Sequence, residues 1–446
     1  MPGLSYSVIS KKKIKDFNKV IEVDSDKSIS IRAFLIGSIS QGISRVKNVL
    51  ESEDIFSTIN SLKKLGVKIK KIEKKNYIIY GKGTGSFFAK KNTVLNFGNS
   101  GTLARLLVGI LSTTPNINLK MTGDESLKSR SMSKLIGLMS KFGAIFEKNK
   151  SRLPFSLTSS SIPLGINYES GVSAQLKSSV ILAGLNSFGF TTIEEKKENQ
   201  SRNHTENLLS KSSGVIKIKK NKIKIFGKSV LDPFKLTIPG DPSSAAFFCA
   251  ITIFSNNSKF KIKNVCLNPR RLGFYNLLKK HGAKIKFKNI KKRNNEFVGD
   301  IFVSSSKLKP IKASSKYYPS TADEYVILSV CASMIKGVSI FNGIEDLANK
   351  ESSRAYEMKK ILNQMNIKCV LTKKKMKIHG SEKIRNSNKV IKVDKLNDHR
   401  ICMATLCLSQ ITGIKCIIKN FETVNTSSPS FLKIIKSIGG KYEIKK

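Results

Sequence analysis

The chain has 446 residues, 40% hydrophobic and 25% charged, enough for one large or two medium domains that each bury a core. Lys and Arg number 80 against 31 Asp and Glu, a net charge of +49 that draws anions towards the protein. The longest apolar runs, Ala245–Phe254 and Tyr325–Ile335, are too short for a membrane span, and no apolar stretch follows Lys11, Lys12 and Lys13 as in a signal peptide. Membrane and secreted proteins are thereby excluded, and a cytoplasmic location is expected.

Seven cysteines, none in a CxxC pair, sit mostly among apolar neighbours and read as reduced core thiols. His204, His281, His379 and His399 lie far apart, so no metal site is expected. The lysines are scattered through every segment, without Trp or aromatic–basic interleaving. That pattern indicates drift of surface composition rather than a specific nucleic-acid partner.

Two kinds of segment recur along the chain with a period of roughly 70 to 80 residues, longer than solenoid repeats. The first is a helix apolar nearly all round that opens on small or polar residues. The second is an amphipathic helix ending in Gly or Asn and followed by a strand. At Lys27 the first apolar helix begins in DKSISIR, placing Lys27, Ser28 and Arg32 within its opening turns. Its amphipathic partner, Asp54–Gly66, carries Ile55, Ile59, Leu62 and Leu65 on one stripe and leads into a strand over Val67–Ile72.

GNSGTLAR, Gly98–Arg105, opens the second apolar helix, where Asn99 and Gly101 let a ligand come close to the backbone. TGDESLKSR, Thr122–Arg130, reads as a polar loop presenting Lys128 and Arg130, ahead of a helix over Met132–Gly143 and a strand over Ala144–Glu147. The third pair is SAQLKS, Ser173–Ser178, and SRNHT, Ser201–Thr205; its amphipathic helix, His204–Gly214, is the weakest of the set.

The fourth apolar helix begins at Pro242, and Leu272–Gly282 with Ala283–Phe287 follows it. The fifth begins near Ala322, with Asp323 and Glu324 at its start, where a carboxylate is either a reactive group or an N-cap. KESSR then sets Lys350, Glu351 and Arg354 on about one turn, before the helix Arg354–Asn366 and the strand Ile367–Leu371. The sixth opens in Asp398–Arg400, followed by Pro429–Gly440 and Lys441–Ile444.

Helix N-termini offer unpaired N–H groups and positive dipole ends, and each repeat sets polar or charged residues there. Mostly cations with a few carboxylates suit transfer chemistry on phosphorylated anions. Six β/α units group most simply as three and three in two similar domains.

In this order the motifs DKSISIR, GNSGTLARLL, GDESLKSRSM, SAQLKSSVILAGL, SRNHTE, PGDPSSAAF, DEYVILSV, KESSR, NDHRICM and NTSSPSF resemble the enolpyruvyl transferases. Among these, their spelling is similar to the 3-phosphoshikimate 1-carboxyvinyltransferases of the second bacterial class, from about Val23 to about Gly440. The resemblance implies an α/β fold of two similar domains, each of three β/α units around a pseudo-threefold axis, with the active site in the interdomain cleft. Residues 25–242 would form one domain, and 1–24 with 243–446 the other.

It also implies transfer of the enolpyruvyl group of phosphoenolpyruvate to the 5-hydroxyl of shikimate 3-phosphate through a tetrahedral intermediate, in aromatic amino-acid biosynthesis. No metal, no organic cofactor, no membrane and no nucleic acid take part, and a monomer is expected. Lys27, Ser28, Arg32, Ser173, Ala174, Gln175, Ser201, Arg202, Asp323 and Lys350 match positions around shikimate 3-phosphate. Lys27, Asn99, Gly101, Arg130, Gln175, Arg354 and Arg400 match those around phosphoenolpyruvate. Asp323 matches the base for the 5-hydroxyl proton, and Glu351, helped by Lys27, the group serving the methylene carbon.

Departures from the family pattern occur at Asp24, Ser25, Ile31, Ser131, Asn203 and Ser353, none of which removes an assigned cation or carboxylate. The sister transferases acting on UDP-N-acetylglucosamine are a weaker match, since they carry a reactive Cys in the N-terminal half and none occurs here before Cys249. A basic binding protein on the same fold is the other alternative, against which the intact set of charged residues argues.

Overall fold

Each of the six apolar segments forms a helix in the computed structural model, which describes residues 5–382, 389–394 and 396–445. The helices are Lys27–Ile39, Gly101–Thr113, Ala174–Gly184, Pro242–Phe254, Tyr325–Ser333 and His399–Thr412. They lack a polar face, so they are surrounded: every residue from Ile29 to Ile39 is buried in the first, and every residue from His399 to Ile411 in the last.

Five of the six begin at a capping side chain. Asp26, Ser100, Ser173, Asp241 and Asp398 accept from the N–H groups of Ile29, Leu103, Leu176, Ser243 and Arg400, over 2.8 to 3.4 Å. Each such cap contributes about 1 kcal/mol. The fifth helix differs. It starts at Tyr325, later than the sequence indicates, behind a short helix Tyr318–Thr321 and a turn over residues 322–324, and no side chain caps it.

The amphipathic helices are Glu53–Lys64, Ser133–Ser140, His204–Leu209, Gly273–Lys280, Arg354–Gln364 and Phe431–Ser437. They stop where the chain turns left-handed: at Gly66, Gly143, Gly214, Gly282, Asn366 and Gly439, the last one residue ahead of the expected Gly440.

Among the described residues the strands form six four-stranded sheets on one plan. One edge strand runs parallel to its neighbour, and that neighbour pairs antiparallel with the third strand. In the sheet of Val94–Asn96, Asn118–Thr122, Phe155–Thr158 and Ile145–Phe146, the parallel pair flanks the buried helix Gly101–Thr113, a β-α-β unit. The sheets around Ala174–Gly184, Tyr325–Ser333 and His399–Thr412 repeat this, whereas the parallel edge strand Lys235–Thr237 joins Gln41–Lys47 from much later in the chain.

The chain divides into two compact units with three sheets each. One comprises Ser25–Ile238 with Lys292–Glu296; the other comprises the chain up to Asp24, Pro239–Lys291 and everything from Phe297 onward. Asn18–Ile21 pairs parallel with Lys259–Cys266, so the excursion through the first of these units separates a strand from its partner.

All seven cysteines are buried. Burial pushes the thiols of Cys369 and Cys416 up to about 11, and those of Cys249, Cys331, Cys402 and Cys407 further, which makes them unreactive core groups. No helix among the described residues is long and apolar enough to cross a membrane.

Candidate active site

In the unit of Ser25–Ile238, the buried helices present their N-terminal turns with the expected residues on them. Lys27 is the first residue of its helix, and its ammonium lies 3.2 Å from the carboxylate of Asp54, on the neighbouring amphipathic helix. Arg32, one turn on, is only 3% exposed. Its guanidinium donates to Thr205 Oγ1 at 2.8 Å, Ser178 Oγ at 3.0 Å and the Ser28 carbonyl at 3.0 Å, joining DKSISIR to SAQLKS and SRNHT.

Gly101 opens the second helix. A Cβ at this position would lie 2.7 Å from Arg105 Nη1 and 3.0 Å from Arg130 Nη1, so two guanidinium groups border the space beside this residue. Arg130 donates to Asn99 Oδ1 and, at 3.1 Å, to Ser126 Oγ. Arg105 donates to Gln175 Oε1 at 2.9 Å, and Gln175 Nε2 donates to Thr102 at 3.0 Å, tying the second helix to the third. Gly101, Asn99, Arg130 and Gln175 are thus brought together, with Arg105 between them.

Half-buried Ser173, Ala174 and Gln175 form the start of the third helix, while Ser201 and half-buried Arg202 lie on the segment before His204–Leu209. The expected polar loop over Thr122–Arg130 holds one short helix, Glu125–Lys128, capped by Asp124; Lys128 pairs with Glu125 at 2.8 Å, and Arg130 turns to Asn99.

In the other unit Arg354 is the hub. It is 1% exposed and begins the helix Arg354–Gln364. It donates to Asp398 Oδ2 at 3.0 Å, to Asp323 Oδ1 at 3.4 Å and to Glu351. Burial opposes its charge, but Asp398, Glu351 and Asp323 outweigh burial and hold it protonated beyond its ordinary range. Arg400 reaches the other oxygen of Asp323 at 3.4 Å and the Asp323 carbonyl at 3.3 Å.

The Asp323 carboxylate therefore stands between two guanidinium groups. It lies in the turn before the uncapped helix rather than serving as a cap, which removes the simpler of the two sequence readings. Lys350 pairs with Asp346 at 3.1 Å, and Tyr318 donates to the same oxygen at 2.9 Å. KESSR is not one helical turn as expected: Lys350 ends the 3-10 segment Glu345–Asn349, and the α-helix starts only at Arg354. Arg354 gathers the acids through its length instead of through helical spacing.

Among the departures from the family pattern, Asp24, Asn203 and Ser131 have local partners. Asp24 accepts from Ser428 Oγ and Ser430 N–H, both at 2.9 Å, anchoring NTSSPSF. Ile31 is fully buried, Asn203 donates to Asn207 at 3.2 Å, and Ser131 bonds Ser133 at 3.1 Å. Ser25 is buried, and Ser353 precedes the Arg354 helix without capping it.

Sequence reasoning gave no role to Arg105, Asp54 or Asp398. Arg105 and Asp398 lay inside quoted motifs, and the place of Asp398 just before an apolar helix marks it as a cap. Nothing in the sequence links Asp54 to Lys27.

Comparison with known proteins covers nearly the whole chain. Residues 11–435 match the family model for EPSP synthase (3-phosphoshikimate 1-carboxyvinyltransferase). The 3-phosphoshikimate 1-carboxyvinyltransferase of Petrotoga mobilis is 37% identical over 428 residues, 95% of this chain and 98% of that protein. The relative of the same name from Paramagnetospirillum magneticum is 34% identical, covering 94% of each chain. The solved EPSP synthase of Acinetobacter baumannii superposes with a TM-score of 0.85 at 31% identity, over 99% of this chain and 100% of that one. The enolpyruvyl transferase NikO from Streptomyces tendae gives 0.75 at 10% identity over 99% of each chain, a likeness of fold.

Six like sheets around six buried helices, with cations and carboxylates at the helix starts, define a mixed α/β protein of the enolpyruvyl transferase fold. Within that fold, the chain belongs to the EPSP synthase family.

Proposed function

We propose that this protein transfers the enolpyruvyl group of phosphoenolpyruvate to the 5-hydroxyl of shikimate 3-phosphate, releasing phosphate. The observation that carries the chemistry is Asp323, a carboxylate set between Arg354 and Arg400 and spent on no helix cap. Two guanidinium groups hold this carboxylate in place, and a carboxylate is a suitable base for a hydroxyl proton.

In the proposed route Asp323 takes the 5-hydroxyl proton as the oxygen bonds to C2 of phosphoenolpyruvate. The methylene carbon gains a proton from Glu351, helped by Lys27, giving a tetrahedral intermediate. Return of a methyl proton to Glu351 and departure of phosphate, which takes up the proton held by Asp323, restore the double bond. The steps balance with side chains alone, so the reading includes no metal and no organic cofactor.

Arg130, Arg354 and Arg400, with Lys27, Asn99, Gly101 and Gln175, are assigned to phosphoenolpyruvate, whose carboxylate and phosphate suit guanidinium forks. Lys27, Ser28, Arg32, Ser173, Ala174, Gln175, Ser201, Arg202, Asp323 and Lys350 are assigned to shikimate 3-phosphate. Arg354 already donates to three carboxylates, so a substrate anion competes with Glu351 and Asp323 for it. A monomer acting on small molecules in the cytoplasm accompanies this reading.

Mass analysis of the product tests the proposal: incubation with both substrates should yield shikimate 3-phosphate carrying one enolpyruvyl group, and its absence would end the reading. Gly101→Ala tests the assigned phosphoenolpyruvate site. The new methyl displaces the guanidinium groups of Arg105 and Arg130, so KM for phosphoenolpyruvate should rise about tenfold or more. KM for shikimate 3-phosphate should change little. An unchanged KM for phosphoenolpyruvate would place that substrate elsewhere.

A further inference from the structure

Lys177 has no role in the route above, and its side chain is fully buried. Its ammonium lies 2.7 Å from Glu195 and 2.7 Å from Glu206, which are 2% and 1% exposed, and donates to the Ser201 carbonyl at 3.3 Å. Two of its N–H groups thus donate, to Glu195 and to the Ser201 carbonyl, while Glu206 is held at contact distance by charge. The Ser201 N–H in turn donates to Glu195 at 3.3 Å.

One cation against two carboxylates is an unfavourable thing to bury, and packed apolar side chains of the same volume are commonly as stable. What an ammonium adds is direction. Lys177 is on the helix Ala174–Gly184, whose opening turn carries Ser173, Ala174 and Gln175; the Lys177 N–H itself donates to the Ser173 carbonyl at 3.2 Å. Glu195 ends the strand Phe190–Glu195, and Glu206 is on the helix His204–Leu209. The segment between them, which carries Ser201 and Arg202, is therefore closed at its base by a single side chain. Beside this clip, Thr205 donates to Ser178 at 2.8 Å and accepts from Arg32 at 2.8 Å, so both ties hold the same two segments together.

We infer that Lys177, through Glu195, Glu206 and Ser201, is a positioning residue that sets the protein's affinity for the phosphorylated acceptor and not for phosphoenolpyruvate. The inference rests on the proposed assignment of Ser201 and Arg202 to shikimate 3-phosphate.

The test compares wild type with Lys177→Met and with the charge-free triple variant Lys177→Met, Glu195→Gln and Glu206→Gln. The triple variant leaves no unpaired charge if the single one fails to fold. Calorimetric titration with shikimate 3-phosphate should show about 10- to 100-fold weaker binding by the folded variant, as expected when contact groups are misplaced by about an ångström. KM for phosphoenolpyruvate should stay near wild type, and amide exchange across residues 196–203 should quicken.

A folded triple variant that binds shikimate 3-phosphate like wild type would overturn this inference alone. So would a parallel loss of affinity for both substrates, which marks a merely structural role. A wild type that does not bind shikimate 3-phosphate at all would overturn this inference together with the proposed function.

Discussion

Asp323→Asn is expected to lower kcat by about 10²- to 10⁴-fold, the range for losing a general base, while both substrates still bind. Asn has nearly the same volume, and its oxygen can accept from Arg354 or from Arg400, which lie 3.4 Å from the two carboxylate oxygens. Its amide nitrogen cannot accept a proton from a hydroxyl, and it faces a guanidinium group on one side. Folding should tolerate the change because Asp323 caps no helix and its side chain is 19% exposed. Single-turnover kinetics with a binding titration separate the two effects. A variant with the wild-type rate would remove Asp323 from the base role.

Asp398→Ala is expected to cost about 3 to 5 kcal/mol of folding stability, the range for stripping one partner from a buried ion pair. Asp398 is fully buried and meets Arg354 Nε at 3.0 Å, and Ser352 donates to it at 2.9 Å. It also caps the helix His399–Thr412 by accepting from the Arg400 N–H at 3.0 Å, a separate contribution of about 1 kcal/mol. Glu351 and Asp323 remain beside Arg354, but both are 19% exposed and can follow the guanidinium group only in part. Asp398→Asn keeps a capping oxygen and should lose less. Urea unfolding should show the midpoint falling with an unchanged slope. A shift worth less than about 1 kcal/mol, the median for exposed pairs, would mean that the Arg354 cluster is solvated like a surface pair.

The periodic parts of the fold were legible in the sequence because burial leaves a local record. Segments such as Lys27–Ile39 and Pro242–Phe254 have no polar side to expose, and a left-handed residue such as Gly66 or Asn366 stops the chain at a definable place. The sequence marks failed where non-helical turns intervene. Ala322–Glu324 and Lys350–Ser353 carry acceptable helix-forming residues, and only tertiary contacts, notably those to Arg354, hold them as turns.

Pairings remote in sequence leave no local mark either. Lys27 meets Asp54 from a different helix, and Lys177 finds Glu195 and Glu206 across a loop. Motif resemblance carried the candidate site residues; which of them touch, and that Arg105 and Asp398 belong with them, came from geometry.

The acceptor decides the activity. Phosphate release from phosphoenolpyruvate should be followed with shikimate 3-phosphate or UDP-N-acetylglucosamine as acceptor, with no metal added. Release with shikimate 3-phosphate alone is the predicted result. Release with the nucleotide sugar alone, or with neither acceptor, would contradict it.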